Sequence, residues 1–134
     1  MTRYLLDTNI VSHLMRGHPA VDRAVVAHPL PSLCISAVTA GELLFGLQER
    51  PVKHSVATAT EQFLAQVEVM PWDLLAARAY GALRADLERR GLVLAPLDLL
   101  IAAHALAVGA VLVSNDQAML RLPGIVTEDW TRDV

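Results

Sequence analysis

Hydrophobic positions along the chain fall into short runs and longer periodic stretches that alternate with one another. Arg3 to Leu6 reads as a strand, and Thr8 to Met15 as a short helix that Gly17-His18-Pro19 ends. Ala20 to Ala27 is a second helical piece, closed by His28-Pro29, and Leu33-Cys34-Ile35 is a brief apolar strand. Thr39 to Glu49 reads as helix, stopped before Pro51; Ser55 to Gln66 follows, with Phe63 and Val67 on one face. Val67 to Met70 is a strand ended by Pro71. Asp73 caps a long helix that runs to Arg90, with Gly91 as its C-terminal stop. Leu97 to Ala107 is an apolar helix ended at Gly109, and Ala110 to Val113 a buried strand. Asn115 to Leu120 reads as a short helix and Ile125-Val126 as a last strand.

Strands that alternate with helices predict an α/β domain with a mostly parallel sheet. The strands are short apolar runs, as expected when helices cover both faces. The chain has no repeat, low-complexity tract or linker, so residues 1–134 read as one domain. Its 54% hydrophobic content, with only 4% aromatic, predicts a core of Leu, Val, Ala and Ile and excludes a disordered chain. Leu92 to Val113 is long and apolar enough to imitate a membrane span. Pro96, Asp98, His104 and Gly109 interrupt it, and an Asp inside a span costs roughly 2.5–3.5 kcal/mol. A buried helix followed by a buried strand is the better reading, with no membrane partner.

Charge and cysteine content narrow the class. The net charge is −3, which argues against a non-specific nucleic-acid coat but not against a nuclease whose acids reach phosphate through metal ions. Ten of the 11 basic residues are Arg, the better fork for phosphate, and Lys53 is the exception. Cys34 is the one cysteine, so no intramolecular disulfide forms. Arg3 and Asp7 interrupt the first apolar run, which is therefore no signal peptide. The expected location is the cytoplasm.

Four acids sit at analogous points of this map. Asp7 lies just past the first strand, and Asp116 just past the strand Ala110–Val113. Glu42 lies in the first turn of the helix beginning at Thr39, and Asp98 at the start of the apolar helix. In open α/β sheets ligands bind beyond the carboxyl ends of the strands, and helices begin at that same edge. Each acid also has a purely structural role available. Asp7 and Asp116 suit helix N-caps, Thr39-Ala40-Gly41-Glu42 matches a capping box, and Asp98 suits the helix dipole. Asp98 fits that role least, because it lies within Leu97-Asp98-Leu99-Leu100-Ile101, where a carboxylate should be paired or metal-bound.

Clustered carboxylates repel unless a positive group sits among them. Oxygen-only ligands suit Mg²⁺ or Mn²⁺ rather than zinc. Such a site activates water and offsets charge on a phosphodiester. Thr8, Asn9 and Ser114 lie beside the acids and suit orienting roles or phosphate contacts.

Leu5–Ile10 (LLDTNI), Ile35–Gly46 (ISAVTAGELLFG), Asp98–Asp116 (DLLIAAHALAVGAVLVSND) and Pro123–Trp130 (PGIVTEDW) together resemble the PIN-domain ribonuclease toxins of VapBC toxin–antitoxin pairs. The resemblance runs nearly the whole chain, in order. It implies a three-layer α/β/α sandwich. It places Asp7, Glu42, Asp98 and Asp116 at the family's acidic metal site, with Ser114 as its small hydroxyl and Thr8 and Asn9 following the first acid. It further implies RNA cleavage, often of tRNA or ribosomal RNA, with Mg²⁺ or Mn²⁺. The implied partners are a VapB-like antitoxin that fills the groove and a second copy of the chain in a homodimer.

Other residues have plainer readings. His104, six residues after Asp98, points elsewhere on an ideal helix and reads as a satisfied histidine. The nucleophilic water is then expected to be activated by the cation. Arg84, Arg89 and Arg90 read as helix-end charges or as part of an RNA path. Val11, Leu14 and Met15 with Leu43, Leu44 and Leu47 read as core, or as a groove for an amphipathic partner helix. Trp72 and Trp130 read as core or rim. The alternative to the nuclease is a non-catalytic module of the same shape that binds RNA or protein. A flap-cleaving DNA nuclease is a further alternative, for which the chain is short.

Overall fold

The computed structural model describes residues 1–132. Five parallel strands form one sheet in the order β3-β2-β1-β4-β5: β1 Tyr4–Leu6, β2 Leu33–Ser36, β3 Glu68–Met70, β4 Val111–Val113 and β5 Thr127–Glu128. The helices are α1 Thr8–Met15, α2 Pro19–Val26, α3 Ala37–Glu49, α4 His54–Gln66, α5 Leu74–Arg89, α6 Pro96–Val108 and α7 Gln117–Leu120. A 3₁₀ turn at Leu30–Ser32 leads into β2.

Side chains alternate across a strand, and here they feed two separate cores. Leu5, Cys34 and Leu112 pack with Leu83, Leu87, Ile101 and Met119 beneath α5, α6 and α7. Leu6, Ile35 and Val113 pack with Ile10, Val11, Val21 and Leu43 beneath α1 to α3. The sheet is therefore the middle layer of an α/β/α sandwich. Ala102, Ala103 and Ala105 are fully buried, and small side chains let α6 lie close to the sheet and to α5. Gly109, at φ +67, ends α6 in the left-handed conformation, and Ala110 N–H closes back onto Ala105 O at 3.0 Å.

The connections explain where a ligand belongs. From β1 the chain steps outward to β2 and β3 over one face; it then returns past β1 to β4 and β5 over the other. Right-handed crossovers require that change of face. The reversal leaves a crevice at the carboxyl ends of β1 and β4, the place where open α/β sheets bind ligands. The Asp7 N–H donates to Val113 O at 3.0 Å, which ties the two strand ends together.

Two boundaries differ from expectation for identifiable reasons. Ser36 caps α3, its Oγ accepting from Val38 N–H at 3.1 Å, so the helix begins at Ala37 rather than Thr39. Glu42 then falls in the second turn, and no Thr39–Glu42 capping box forms. The last strand pairs at Thr127 and Glu128 rather than Ile125-Val126; Ile125 packs against the core instead, and Leu112 N–H reaches Val126 O at the strand's edge. The segment Leu92–Val113 divides into α6 and β4. Among the described residues no helix is long and apolar enough to cross a membrane.

Candidate active site

Asp7 is the first residue after β1 and the N-cap of α1. Its Oδ1 accepts from Ile10 N–H at 2.9 Å, and its carboxylate also takes a hydrogen bond from Ser114. It is only 3% exposed. Burial, with further repulsion from Asp98 and Asp116, raises its pKa from 3.8 to about 6, against the lowering effect of the bonds from Ser114 and Ile10. At about 1.4 kcal/mol per pH unit, ionised Asp7 costs the fold about 3 kcal/mol.

Ser114 follows β4, is fully buried, and accepts from the Asp116 N–H at 3.0 Å. Asp116 caps α7: its Oδ1 accepts from Ala118 and Met119 N–H at 2.8 and 3.2 Å. The capping roles of Asp7 and Asp116 are therefore real, and the same positions bring the two acids close enough to repel each other. Asp98 lies in the first turn of α6. It is partly exposed rather than lost in its apolar surroundings, because that turn emerges at the sheet edge. Burial, then repulsion from Asp116 and Glu42, raises its pKa as well.

Glu42 reaches the site from α3. Thr8 Oγ1 donates to Glu42 Oε1 at 2.6 Å and lies 3.2 Å from the buried Thr39 hydroxyl. Thr8 thus couples the helix after β1 to the helix after β2. Asn9 is exposed on the rim of the same cleft.

The mutual repulsions join Asp7, Asp98 and Asp116, and link Asp98 to Glu42, in one electrostatic cluster. Among the described residues, no Arg, Lys or His is ion-paired with any of the four. Nor do three or more His, Cys, Asp or Glu side chains stand together there as a ready ligand set. The carboxylates are instead held on separate partners: Ile10 and Ser114, Thr8, and the start of α7. By donor type the set fits a hard divalent cation, since every candidate ligand is oxygen and the charge is uncompensated.

The neighbouring residues sort themselves clearly. His104 is buried, its Nδ1 is 2.8 Å from Ser36 Oγ, and burial lowers its pKa; it supports the α3 cap and stays away from the acids. Ser36 itself went unnoticed in the sequence, although a Ser before an apolar helix is an N-cap signal. Arg84 bonds Glu88 and Tyr80, and Arg89 and Arg90 pair with Asp86, as helix-surface charges. Val11 is fully buried and Leu14 packs on the core, so neither lines a groove. Met15, Leu43 and Leu47 do line the cleft, whereas Leu44 and Phe45 are exposed on other faces of α3 and do not. Trp130 is buried against His28 and Tyr4, and the Trp72 indole donates to Leu100 O at 3.0 Å.

The PIN domain family matches residues 4–125. The chain is similar to the tRNA(fMet)-specific endonuclease VapC of Shigella flexneri, with 33% identity over 98% of this chain and 100% of that one. Among solved structures it resembles DNA-bound VapBC from Salmonella typhimurium, at 34% identity and TM-score 0.87, covering 97% and 99% of the two chains. It also resembles VapBC2 from Rickettsia felis bound to a promoter DNA fragment, at 31% identity and TM-score 0.86, covering 96% and 99%.

Proposed function

Since the chain belongs to the PIN-domain family, we propose that it is an endoribonuclease, the toxin of a type II toxin–antitoxin pair. The observation that carries this reading is the crevice at the ends of β1 and β4, where acids from four distant parts of the chain share one field. A binding module has no need of such a site. A desolvated Asp7 costs about 3 kcal/mol in the ionised state, a burden that makes sense where the charge is used.

Asp7, Glu42, Asp98 and Asp116 would hold Mg²⁺ or Mn²⁺. When bound, the cation would activate water and offset charge on the phosphodiester. The protein's own groups prepare for it. Ser114 and the Ile10 N–H fix the Asp7 carboxylate, and they favour its ionised form against the pull of burial. Thr8 holds Glu42 at the cleft wall. The α7 amides hold one Asp116 oxygen and leave its other edge available. His104 has no proton-transfer role, because it is buried on Ser36.

The substrate class in this reading is tRNA or ribosomal RNA, following the tRNA-specific name of the similar Shigella enzyme, and the place of action is the cytoplasm. The regulating partner is a VapB-like antitoxin. Met15, Leu43 and Leu47, which line the cleft, offer an apolar patch for its helix. An occupant there would exclude RNA from the acids. A homodimer belongs to the same proposal.

The test is digestion of total RNA by purified, antitoxin-free protein with Mg²⁺, with Mn²⁺ and with EDTA, followed by mapping of new 5′ ends. Discrete cuts that need metal support the ribonuclease and name its substrate. A folded protein that cuts nothing under any metal points to the binding module.

A further inference from the structure

A cleft opens beside Glu42 and Thr8. It runs between α1 and α3, with a volume of about 390 Å³. Its two walls follow the same order. On α1, Asn9, Ser12 and Arg16 recur at i, i+3 and i+7 along one face. On α3, Glu42 and Gly46 recur at i and i+4, and Arg50 follows at the C-terminal cap. Each wall therefore passes from oxygen donor through a small residue to a cation, over about 10–12 Å at the helical rise. Arg16 and Arg50 also line the adjoining hollow of about 450 Å³, together with Lys53.

These cations differ from most others in the molecule. Arg3, Arg84, Arg89, Arg90 and Arg132 are each ion-paired to a nearby acid. Arg16, Arg50 and Lys53 are exposed and have no ion pair or hydrogen bond from their side chains among the described residues. Cations at helix C-termini are favoured by the dipole, which suits Arg16 and Arg50 individually. That preference does not explain why both face one cleft that also holds Glu42. The floor between them is open as well: a Cβ on Gly46 would meet nothing within 4 Å.

We propose that Arg16 and Arg50, backed by Lys53, form a phosphate clamp that grips the RNA strand beside the phosphate held at the acids. The chemistry is that of a polyanion lying across a cation pair, with guanidinium forks on its non-bridging oxygens. The clamp rests on the ribonuclease reading and deepens it. It gives an acidic protein a local basic track, with the cleaved bond at one end and the anchoring phosphate at the other.

Fluorescence anisotropy with a mixed-sequence single-stranded RNA tests the clamp. An Asp98→Asn parent in Mg²⁺ prevents cleavage during the titration. Adding Arg16→Ala and Arg50→Ala together should weaken binding about ten-fold at low salt. The slope of log K against log salt should fall by about 1.4, or about 0.7 for each single-strand phosphate no longer neutralised. Arg16→Lys with Arg50→Lys should restore most of the slope. Gly46→Glu, which sets a carboxylate in open space, should weaken binding as much as the double alanine variant, and Gly46→Ala should not. Arg78→Ala, on the exposed side of α5, is the control and should change nothing. With Asp98 intact, the double alanine variant should raise KM and leave kcat nearly unchanged, whereas damage to the acids lowers kcat. A parent that binds RNA, with a double variant of equal affinity and equal slope, overturns the clamp and leaves the ribonuclease reading standing. Equal RNA binding with lost affinity for an antitoxin-derived peptide overturns it too, and assigns the cations to the protein partner. A parent that binds no single-stranded RNA overturns the clamp, and a wild type that in addition cuts no total RNA sinks the ribonuclease reading with it.

Discussion

Asp7→Asn should make the metal-free protein more stable while destroying its activity. The substitution removes the charge and keeps the cap, because Asn accepts from the Ile10 N–H as well as Asp does. In the folded protein the Asp7 carboxyl has a pKa of about 6, against 3.8 when unfolded. An acid with a raised folded pKa loses stability as pH climbs from its unfolded to its folded value, here from about 4 to about 6, and the full deficit persists above that. The deficit is about 3 kcal/mol. The extra amide N–H groups need partners, and Ser114 Oγ can accept only one of them, so a net gain of about 1–3 kcal/mol is expected at neutral pH. Each kcal/mol is worth about 4 °C in Tm for a domain of this size. The assay is thermal unfolding of both proteins in EDTA across the range from acid to neutral pH. The variant's advantage should vanish near pH 4 and be complete above pH 6. His104 is present in both proteins, so its own titration drops out of the difference. Adding Mn²⁺ should raise the Tm of the wild type and not of the variant. A variant that is less stable at every pH, by a constant amount, would refute the claim that Asp7 carries an uncompensated buried charge.

Thr8→Val, which deletes the hydroxyl holding Glu42, should slow cleavage about ten-fold with a stability loss of about 1 kcal/mol, and Thr8→Ser should recover most of the rate; equal rates for all three would remove Thr8 from the site. Ser114→Ala removes a bond that favours ionised Asp7, so the rise of cleavage with pH should move to higher pH, which a pH–rate profile reads directly. His104 titrates with the opposite sign to Asp7. Its folded pKa lies below the ordinary 6.5, so it costs stability as pH falls below that value, and His104→Gln should flatten the acid side of a stability–pH curve without changing cleavage.

Much of this site was legible because short strands ended abruptly in polar residues. Asp7 and Asp116 announced themselves that way, and the same positions make them helix caps. Local pattern misled at Glu42. Thr39-x-x-Glu42 imitates a capping box, yet Ser36 starts the helix upstream and Glu42 turns to Thr8, 34 residues away in sequence. No local rule could supply that partner. The Ser36–His104 bond spans 68 residues and was equally out of reach. Asp98 was expected to need a partner or a metal because its neighbours in sequence are apolar. Helix α6 instead presents its first turn at the sheet edge, and Asp7 is the acid that burial perturbs most plainly. The alignment of Arg16 with Arg50 depends on how α1 packs beside α3, which periodicity in either helix alone does not specify.

The central claim is that four acids from separate parts of the chain make one cation site at which RNA is cut. Its most direct test is the single-turnover rate of cleavage of a labelled RNA substrate against Mn²⁺ concentration, for the wild type and for Asp7→Asn, Glu42→Gln, Asp98→Asn and Asp116→Asn. Each amide should either abolish cleavage or move the curve to higher Mn²⁺, while circular dichroism shows the fold intact. Cleavage that persists in EDTA, or two or more amide variants that follow the wild-type curve, would contradict it.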